Sequence, residues 1–476
     1  MYKKYYPTIG LEIHAELATK TKMFCACKND PDEKEPNVNI CPVCMAHPGA
    51  LPVANKKAIE YVIKVGLALG SKITDFSEFD RKNYFYPDIP KGYQISQYKY
   101  PIVSSGHLAD FDVTRVHLEE DTANNKHDRG DYSLIDFNRA GIPLMELVTE
   151  PHTFEDSTTA AKSASNFAKE LQLILQYLGV SEANMEKGEM RVEANISISA
   201  DSKSLGTKVE VKNLNSFKSV ERAILHEFDR MEKLIESGKQ KEIVQETRGW
   251  DEAKQKTFSQ RSKENANDYR YFPDPDLPKM KLHQAFDLEK MKEELLELPA
   301  QKRARYKKDF GIKDEDIEVY VNDLELSSWF EEVVKILHSS EKVKTASNYI
   351  TSDFVGLKKT NLEARPPSAE NFAELINLVS ENKISSRVAK DILAMIVIKD
   401  ESPMKIAIEK DLIQKSDEKA IKEIAQKVIE ANAKIVADYK SGKENALMSL
   451  VGQIMKETNG SANPVIAKQV LQSLLQ

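Results

Sequence analysis

The chain has 476 residues, 41% of them hydrophobic and 30% charged, with a formal net charge of −7. This composition excludes wholesale disorder, and the length suggests roughly two to four domains. The net acidity fits poorly with nonspecific binding of duplex DNA. Only 18 residues are glycine, below the usual share of about 7%, and neither a GxxxxGKS/T nor a GxGxxG phosphate loop occurs.

The first residues and the longest apolar run give no export or membrane signal. Residues 1–7 lack the apolar core of a signal peptide, and Ile392–Ile398 is far shorter than the ~20 residues that span a bilayer. We therefore expect a cytoplasmic protein, in which closely spaced cysteines indicate metal binding before disulfide bonds.

Three segments of the first ~290 residues alternate apolar and polar side chains with period two, and they predict half-buried strands: Thr8–Glu16, Met190–Ile198 and Lys208–Lys212. One wet face is typical of antiparallel sheets. The polar faces carry acids, amides and bases, which favours a concave polar surface. An ordinary solvated sheet face fits the alternation equally well.

All four cysteines lie close together, as Cys25, Cys27, Cys41 and Cys44. Four thiolates can close a tetrahedral zinc shell, which would make the site structural because no coordination position stays open. The CxxC half is standard for zinc, whereas the CxC half is less usual. Four free thiols, a redox CxxC and an iron–sulfur cluster stay open as alternatives.

Several acids lie on strand-like segments where a solvated face would not need them. Glu12 and His14 point the same way, His117–Asp121 contains three consecutive acids, and Glu146 stands between apolar residues. An unpaired buried carboxylate is costly, so each is either paired or bound to metal. Carboxylates with one imidazole suit Mg²⁺. Salt bridges to nearby bases are the simpler alternative, and these bases are Arg81, Lys82, Lys91, Arg139, Arg191, Lys208 and Lys212.

The remaining elements are predicted to be helical. Two amphipathic helices, Phe154–Leu178 and Ser219–Glu236, interrupt the first region, and from about Phe286 the pattern is helical throughout. Prolines at 366, 367 and 403 break it. We predict an α+β protein with a mainly antiparallel twisted sheet, divided into segments 1–292, 293–403 and 404–476. From Lys405 onwards eleven Lys oppose nine acidic residues, so the tail is slightly basic.

Long motifs of this chain resemble the B subunit of the bacterial aspartyl/glutamyl-tRNA amidotransferases. The match covers nearly the whole sequence and is carried by Ile9–Leu17, Phe79–Asp88, Gly92–Gln97, His117–Asp121, Asp136–Glu146, Met190–Asn195, Lys212–Phe217, Gln245–Arg248, Asp268–Pro273 and Leu450–Met455.

The resemblance implies a three-subunit enzyme that converts misacylated Glu-tRNA(Gln), and often Asp-tRNA(Asn), to the amide form. In that family the A subunit releases ammonia from glutamine, and the B subunit uses ATP to phosphorylate the side-chain carboxylate. Ammonia then arrives through a tunnel and displaces phosphate, while a small C subunit wraps the A–B interface. The three segments would be a catalytic cradle domain, a helical domain and a tail domain that touches tRNA.

The resemblance also implies residue roles. A magnesium site maps onto His14, Glu120 and Glu146, with Glu12 beside it, and the cysteines at about 25–44 match a zinc knob of some members. Lys82 and Lys91 fall near the tunnel exit and the active site. Contacts to ATP or the aminoacyl end are expected from Arg191, Asn195, Lys208 and Asn213.

Two other functions fit parts of the same sequence. A stand-alone ATP-dependent carboxylate–amine ligase of a small substrate would use the same phosphate chemistry, but it has little use for the last ~180 residues. A noncatalytic tRNA-binding scaffold is disfavoured by the acids on the strand faces.

Overall fold

A computed structural model describes residues 5–126, 130–262, 269–414, 418–443, 445–458, 462 and 464–475. The chain divides into two units, Met1–Pro299 and Ala300–Gln476. The first contains every strand among the described residues, and the second is helical, which confirms the predicted α+β class.

The strands of the first unit are β1 (Tyr6–Glu16), β2 (Lys72–Ile73), β3 (Phe76–Ser77), β4 (Asp80–Asn83), β5 (Tyr93–Ser96), β6 (Val103–Ser104), β7 (His107–Leu108), β8 (Phe111–Glu120), β9 (Asn124–Lys126), β10 (Leu134–Asp136), β11 (Pro143–Thr149), β12 (His152–Thr153), β13 (Met190–Ser199), β14 (Val209–Leu214), β15 (Glu246–Asp251), β16 (Lys256–Ser262), β17 (Phe272–Pro273) and β18 (Met280–Lys281). The three strands predicted from alternation correspond to β1, β13 and β14.

An eleven-stranded sheet forms the centre of the first unit, with the strand order β16-β15-β14-β13-β1-β11-β8-β6-β2 and with β12 and β7 added beside β1 and β8. Its ladders are antiparallel except for the parallel pair β14–β15. One face of β1 is apolar and fully buried, through Leu11, Ile13 and Ala15. The opposite face carries the polar residues. A separate three-stranded sheet runs β17-β4-β5.

Three long helices belong to this unit: α1 (Lys56–Ala68), α2 (Ser157–Tyr177) and α3 (Phe217–Glu236). The predictions for α2 and α3 are confirmed, and each begins at a polar cap, Asp156 and Ser216, that accepts from a backbone amide of the first turn. Helix α1 was not predicted. Asn55 caps it, and its apolar stripe packs into the same core as the sheet.

The short helices α4 (Leu282–Ala285), α5 (Leu288–Glu293) and α6 (Pro299–Arg305) follow. The second unit continues with α7 (Asp314–Val321), α8 (Leu324–Leu337), α9 (Ser340–Asn348), α10 (Val355–Thr360), α11 (Ala369–Ser380), α12 (Ser386–Ile396), α13 (Pro403–Glu409), α14 (Glu418–Ala431), α15 (Ala433–Lys440), α16 (Asn445–Glu457) and α17 (Pro464–Leu475). A 3₁₀ turn, Gln240–Glu242, and two π-helical segments, Tyr306–Phe310 and Tyr349–Phe354, complete the elements. No helix in the described parts of the chain has both the length and the apolar character needed to cross a membrane.

Candidate active site

The polar face of the large sheet is built from residues that stand directly opposite each other on neighbouring strands. His14 on β1 faces Glu146 on β11, which in turn faces His117 on β8. On the other side of β1, Glu12 faces Glu193 of β13. Directly opposed residues share a face of the sheet, so β1 brings its side chains beside residues of β11 and β13 that are more than 100 positions away.

The first cluster on this face contains His14, Glu119 and Glu146. The Nε2 atom of His14 lies 3.3 Å from Glu119 Oε1 and 3.4 Å from Glu146 Oε2. His117 Nε2 lies 3.2 Å from the same oxygen of Glu146. Both carboxylates are buried, and one ligand atom from each of the three cluster residues lies within 4.8 Å of the others, so the group could hold a cation.

The expected partner Glu120 does not join this cluster. Side chains alternate along β8, so His117 and Glu119 share the polar face while Glu120 points to the opposite side. There its carboxylate accepts from the backbone amide of Ile95 at 2.8 Å and pairs with Lys91 at 2.7 Å. The expected trio is therefore corrected by one position, with Glu119 in place of Glu120.

The electrostatics of the first cluster favour a positive charge between two negative ones. Burial opposes the charge on His14, but Glu146 and Glu119 outweigh it and raise the pKa of His14 well above its usual value. Burial likewise works against ionised carboxylates. His117 and His14 nevertheless hold the pKa of Glu146 well below normal, and Lys82 and His14 lower the pKa of Glu119. The site thus keeps two carboxylates ionised and stabilises a cation between them.

A second carboxylate cluster lies on the same face, across β1, β13 and β14. Glu12, Glu193 and Glu210 place ligand atoms within 4.8 Å of one another. Each is held by a neighbour: the Asn195 amide donates to Glu12 at 2.7 Å, Lys212 to Glu193 at 2.7 Å, and the Thr247 hydroxyl to Glu210 at 2.7 Å.

Both clusters open into one cavity of about 450 Å³. Its other walls include Lys82, Arg191 and Lys208, together with four tyrosines, which are Tyr84, Tyr98, Tyr269 and Tyr271. The Lys82 ammonium lies 3.9 Å from Glu119 Oε2 and 5.2 Å from the ring centre of Tyr269. Burial disfavours its charge, but Glu119 more than compensates and raises the pKa of Lys82 well above normal.

Two of the predicted contact residues are placed differently. Asn195 holds Glu12 rather than lining the cavity. Asn213 is exposed on β14 with a left-handed φ of 65°, beside an irregularity in the pairing with β13, and it does not line the cavity. Asparagine tolerates this conformation better than most residues, so a backbone role accounts for it.

Lys91 and Glu120 instead line a second cavity, of about 260 Å³, which also touches Cys25 and Cys44. A void of about 10 Å³ shares Lys91, Tyr93 and Glu120 with this second cavity. It shares Gln94, Asp121 and Thr122 with the first. The void therefore has wall residues in common with both cavities.

The four cysteines come together as predicted, with their sulfur atoms within 4.8 Å of one another. The backbone amide of Cys41 donates to Cys44 Sγ at 3.1 Å. A hydrogen bond from Cys25, that backbone amide and the nearby charge of Lys22 lower the pKa of Cys44 to about 5, against the effect of burial. The cluster is compatible with a zinc site.

Several residues of this site have no role assigned from the sequence: His117, Glu119, Glu193, Glu210 and the tyrosines. Two of these had a local signal, because counting by two along β8 from His117 selects Glu119. No local signal in the sequence identifies the tyrosines, because they come together through pairing between β4 and β17, which are almost 200 positions apart.

The chain is similar to known proteins over nearly its whole length. Residues 7–287 match the GatB/GatE catalytic domain, and residues 328–475 match a GatB domain. The chain is 45% identical to the B subunit of the aspartyl/glutamyl-tRNA(Asn/Gln) amidotransferase of Thermotoga maritima, over 99% of both chains. It is 43% identical to the protein of the same name from Persephonella marina, over 99% of this chain and 100% of the other. The chain therefore belongs to the family of aspartyl/glutamyl-tRNA(Asn/Gln) amidotransferase B subunits.

Proposed function

We propose that this chain is the subunit that activates the side-chain carboxylate of misacylated Glu-tRNA(Gln) or Asp-tRNA(Asn) with ATP and completes its amidation. The observation that carries the proposal is the buried cluster of His14, Glu119 and Glu146 beside Lys82, at the floor of a cavity of about 450 Å³. Membership of the family over the full length favours this function over a small-molecule ligase or a scaffold.

The first cluster fits a divalent cation of the magnesium type. Its donors are two carboxylates and one imidazole. Glu119 Oε2 is buried and accepts no hydrogen bond among the described residues, and the Lys82 ammonium lies 3.9 Å from it. A bound cation would give this oxygen a closer partner. Binding of Mg²⁺ by Glu119, Glu146 and the imidazole of His14 would displace the proton that the two carboxylates favour on His14. The bound Mg²⁺ would offset the negative charge of the ATP phosphates. The second cluster offers carboxylates of the same chemistry.

Activation is needed because an ionised carboxylate is a poor acyl donor. One carboxylate oxygen of the substrate forms a bond to the γ-phosphorus of ATP, and the bond from that phosphorus to the bridging oxygen breaks with release of ADP. Ammonia then adds to the acyl carbon, phosphate leaves with the C–O bonding electrons, and a proton of the nitrogen is lost to give the amide. The phosphate is the leaving group that the carboxylate lacks.

Lys82 acts in this scheme as a fixed positive charge. Glu119 outweighs the effect of burial and raises the pKa of Lys82, which favours the ammonium form. An ammonium beside the metal cluster would stabilise charge that develops on the transferring phosphoryl group. Arg191 and Lys208, which line the same cavity, supply further positive charge for phosphate or for the aminoacyl end.

Ammonia would reach the first cavity from the side of Lys91. The small void shares wall residues with both cavities, and the Lys91–Glu120 pair lines the void and the second cavity. A narrow passage would admit a small neutral molecule while limiting the entry of water, which would hydrolyse the acyl phosphate. In this proposal the Asn195 amide holds Glu12 in place, and Asn213 supplies the left-handed backbone conformation in β14.

The proposal includes two partner subunits, a glutamine-hydrolysing A subunit and a small C subunit, together with the tRNA. The slightly basic tail after Lys405 would contact tRNA locally. The four cysteines would hold a structural Zn²⁺, because a shell of four thiolates leaves no position for substrate. This knob borders the second cavity, so it would stabilise the ammonia side rather than take part in the chemistry.

The test is reconstitution of the chain with its A and C partners. Formation of Gln-tRNA from Glu-tRNA(Gln), and of Asn-tRNA from Asp-tRNA(Asn), is measured with and without ATP and glutamine. We expect amidation of at least one of the two misacylated tRNAs only when ATP is present, and loss of amidation when Glu146 is replaced by Gln although the complex still assembles. Amidation without ATP, or normal amidation by E146Q, would contradict the proposal.

A further inference from the structure

The four tyrosines that line the first cavity form one continuous aromatic wall. Tyr98 stacks on Tyr271 with ring centres 4.5 Å apart and planes 13° from parallel. Tyr271 meets Tyr269 edge-on at 6.0 Å, and Tyr269 meets Tyr84 at 5.7 Å. Three separate parts of the chain supply these rings. Such an arrangement on a cavity wall needs an explanation beyond core packing, because none of the four is fully buried.

One ring of this wall is accessible from the cavity. Tyr98 lines the cavity and is 47% exposed although it stacks on Tyr271. Part of its ring surface is therefore available to a ligand. Burial raises the pKa of Tyr84 and Tyr271, so both stay neutral phenols that do not repel an anionic ligand. The wall is therefore an uncharged stacking surface beside a charged floor.

The cavity thus has two chemically different sides. Carboxylate clusters that suit metal-bound phosphate form one, the aromatic wall forms the other, and the Lys82 ammonium lies between them, 3.9 Å from Glu119 and 5.2 Å from the Tyr269 ring centre. A nucleotide has the same order of groups: anionic phosphates, a ribose and a flat base. Stacking on aromatic side chains is a general way to bind a base.

We propose that the wall of Tyr84, Tyr98, Tyr269 and Tyr271 binds an adenine ring, with Tyr98 as the residue that stacks on it. This inference rests on the proposed function, whose two substrates both carry adenine: ATP, and the terminal adenosine to which the amino acid is attached in an aminoacyl-tRNA. The wall recognises the ring that the two share, and the experiment separates the two sources.

The test uses the full chain assembled with its partner subunits and three variants. Tyr98→Ala removes the ring, Tyr98→Phe keeps it, and Tyr100→Ala is the matched control, because Tyr100 packs edge-on against Phe76 and does not line the cavity. The measured quantities are the Kd for ATP with Mg²⁺, the inhibition constant of tripolyphosphate with Mg²⁺, and the KM for Glu-tRNA. Thermal unfolding of each complex checks the fold.

We expect Y98A to weaken adenine binding about tenfold, within the range found when a base loses its aromatic partner. Tripolyphosphate inhibition should stay the same, since it has no base, and Y98F and Y100A should remain within about twofold of the unchanged chain. A rise in the Kd for ATP identifies ATP as the source, and a rise only in the KM for tRNA identifies the terminal adenosine. Both outcomes support the wall.

The proposal is overturned if Y98A leaves both values unchanged, if Y98F loses as much as Y98A, or if tripolyphosphate inhibition falls in parallel with ATP binding. These results differ from a failure of the proposed function itself. In that case the complex with unchanged Tyr98 would already lack ATP-dependent amidation of either misacylated tRNA.

Discussion

Glu119 and Glu120 are adjacent in sequence but point to opposite faces of β8, which makes them a matched pair for testing the metal cluster. Glu119→Gln removes one of the three proposed ligand residues together with its charge, 3.3 Å from His14. Losing a residue that merely supports a metal ligand typically weakens metal binding about 10–100-fold, so losing a ligand should cost at least as much. Glu120→Gln alters only the contacts to Ile95 and Lys91, on the other side of the strand.

The assay is the Mg²⁺ concentration that gives half-maximal ADP formation by the assembled complex with Glu-tRNA, supported by Mn²⁺ titration followed by electron paramagnetic resonance. We expect the midpoint of E119Q to rise at least about tenfold and that of E120Q to stay within about twofold. E120Q is expected to reduce amidation driven by glutamine more than ADP formation. Equal midpoints for the two variants, or a shift in E120Q alone, would refute the assignment of Glu119.

Three further predictions concern the knob, the helical unit and the packing of α1. Metal analysis of the purified chain should give about one zinc, which Cys44→Ser strongly reduces; iron in its place would contradict the assignment. Burial raises the pKa of Glu331, but Arg305 and the Tyr306 hydroxyl outweigh it and lower that pKa below its usual value. Its contribution to stability is therefore present above about pH 4.5 and lost as the pH falls through the lowered value. In urea unfolding, Glu331→Gln should cost about 1–3 kcal/mol at pH 7, and a difference that stays constant down to pH 3 would argue against this ion pair. A Cβ on Gly66 would lie 2.6 Å from Val103, so Gly66→Ala should destabilise the fold by about 1–3 kcal/mol. Gly452 lies in a helix with open space around it, so Gly452→Ala should stabilise the fold by about 0.5–1 kcal/mol. Equal shifts in melting temperature for the two variants would contradict this packing of α1.

The elements that could be predicted are those with a strong local period. Helices α2 and α3 and strands β1 and β13 have long apolar stripes, and they appear within a few residues of their predicted bounds. Helix α1 was missed although Asn55 is a readable cap. It directly follows the cysteine loop, which is rich in proline and turn residues, and Gly66 weakens its helical signal because the close contact with Val103 requires glycine there.

The same distinction between local and long-range signals applies to the candidate site. The alternation of β1 puts Glu12 and His14 on one face, and that was predictable from nine residues. The identity of the partners depends on the strand order β1-β11-β8, which joins residues more than 100 positions apart and leaves no local trace. The resemblance between motifs points to Glu120 as the member of the cation cluster, whereas the structure places Glu119 there. A shift of one position along a strand exchanges the two faces of the sheet.

The charges around the first cavity give an independent reason to expect cations in the reaction. Six carboxylates line it, from Glu12, Glu119, Asp121, Glu146, Glu193 and Glu210, against five Lys or Arg side chains, from Lys82, Arg115, Arg191, Lys208 and Lys212. Several of these bases are already engaged, since Arg191 contacts Asp121 at 3.4 Å and Lys212 contacts Glu193 at 2.7 Å. An ATP molecule would bring several more negative charges into this surface. The six carboxylates would repel these phosphates in a partly buried site, and divalent cations that enter with ATP would offset the repulsion. The chain lacks a glycine-rich phosphate loop, and the carboxylate clusters offer a replacement for it: they would bind the metal, and the metal would bind the phosphates.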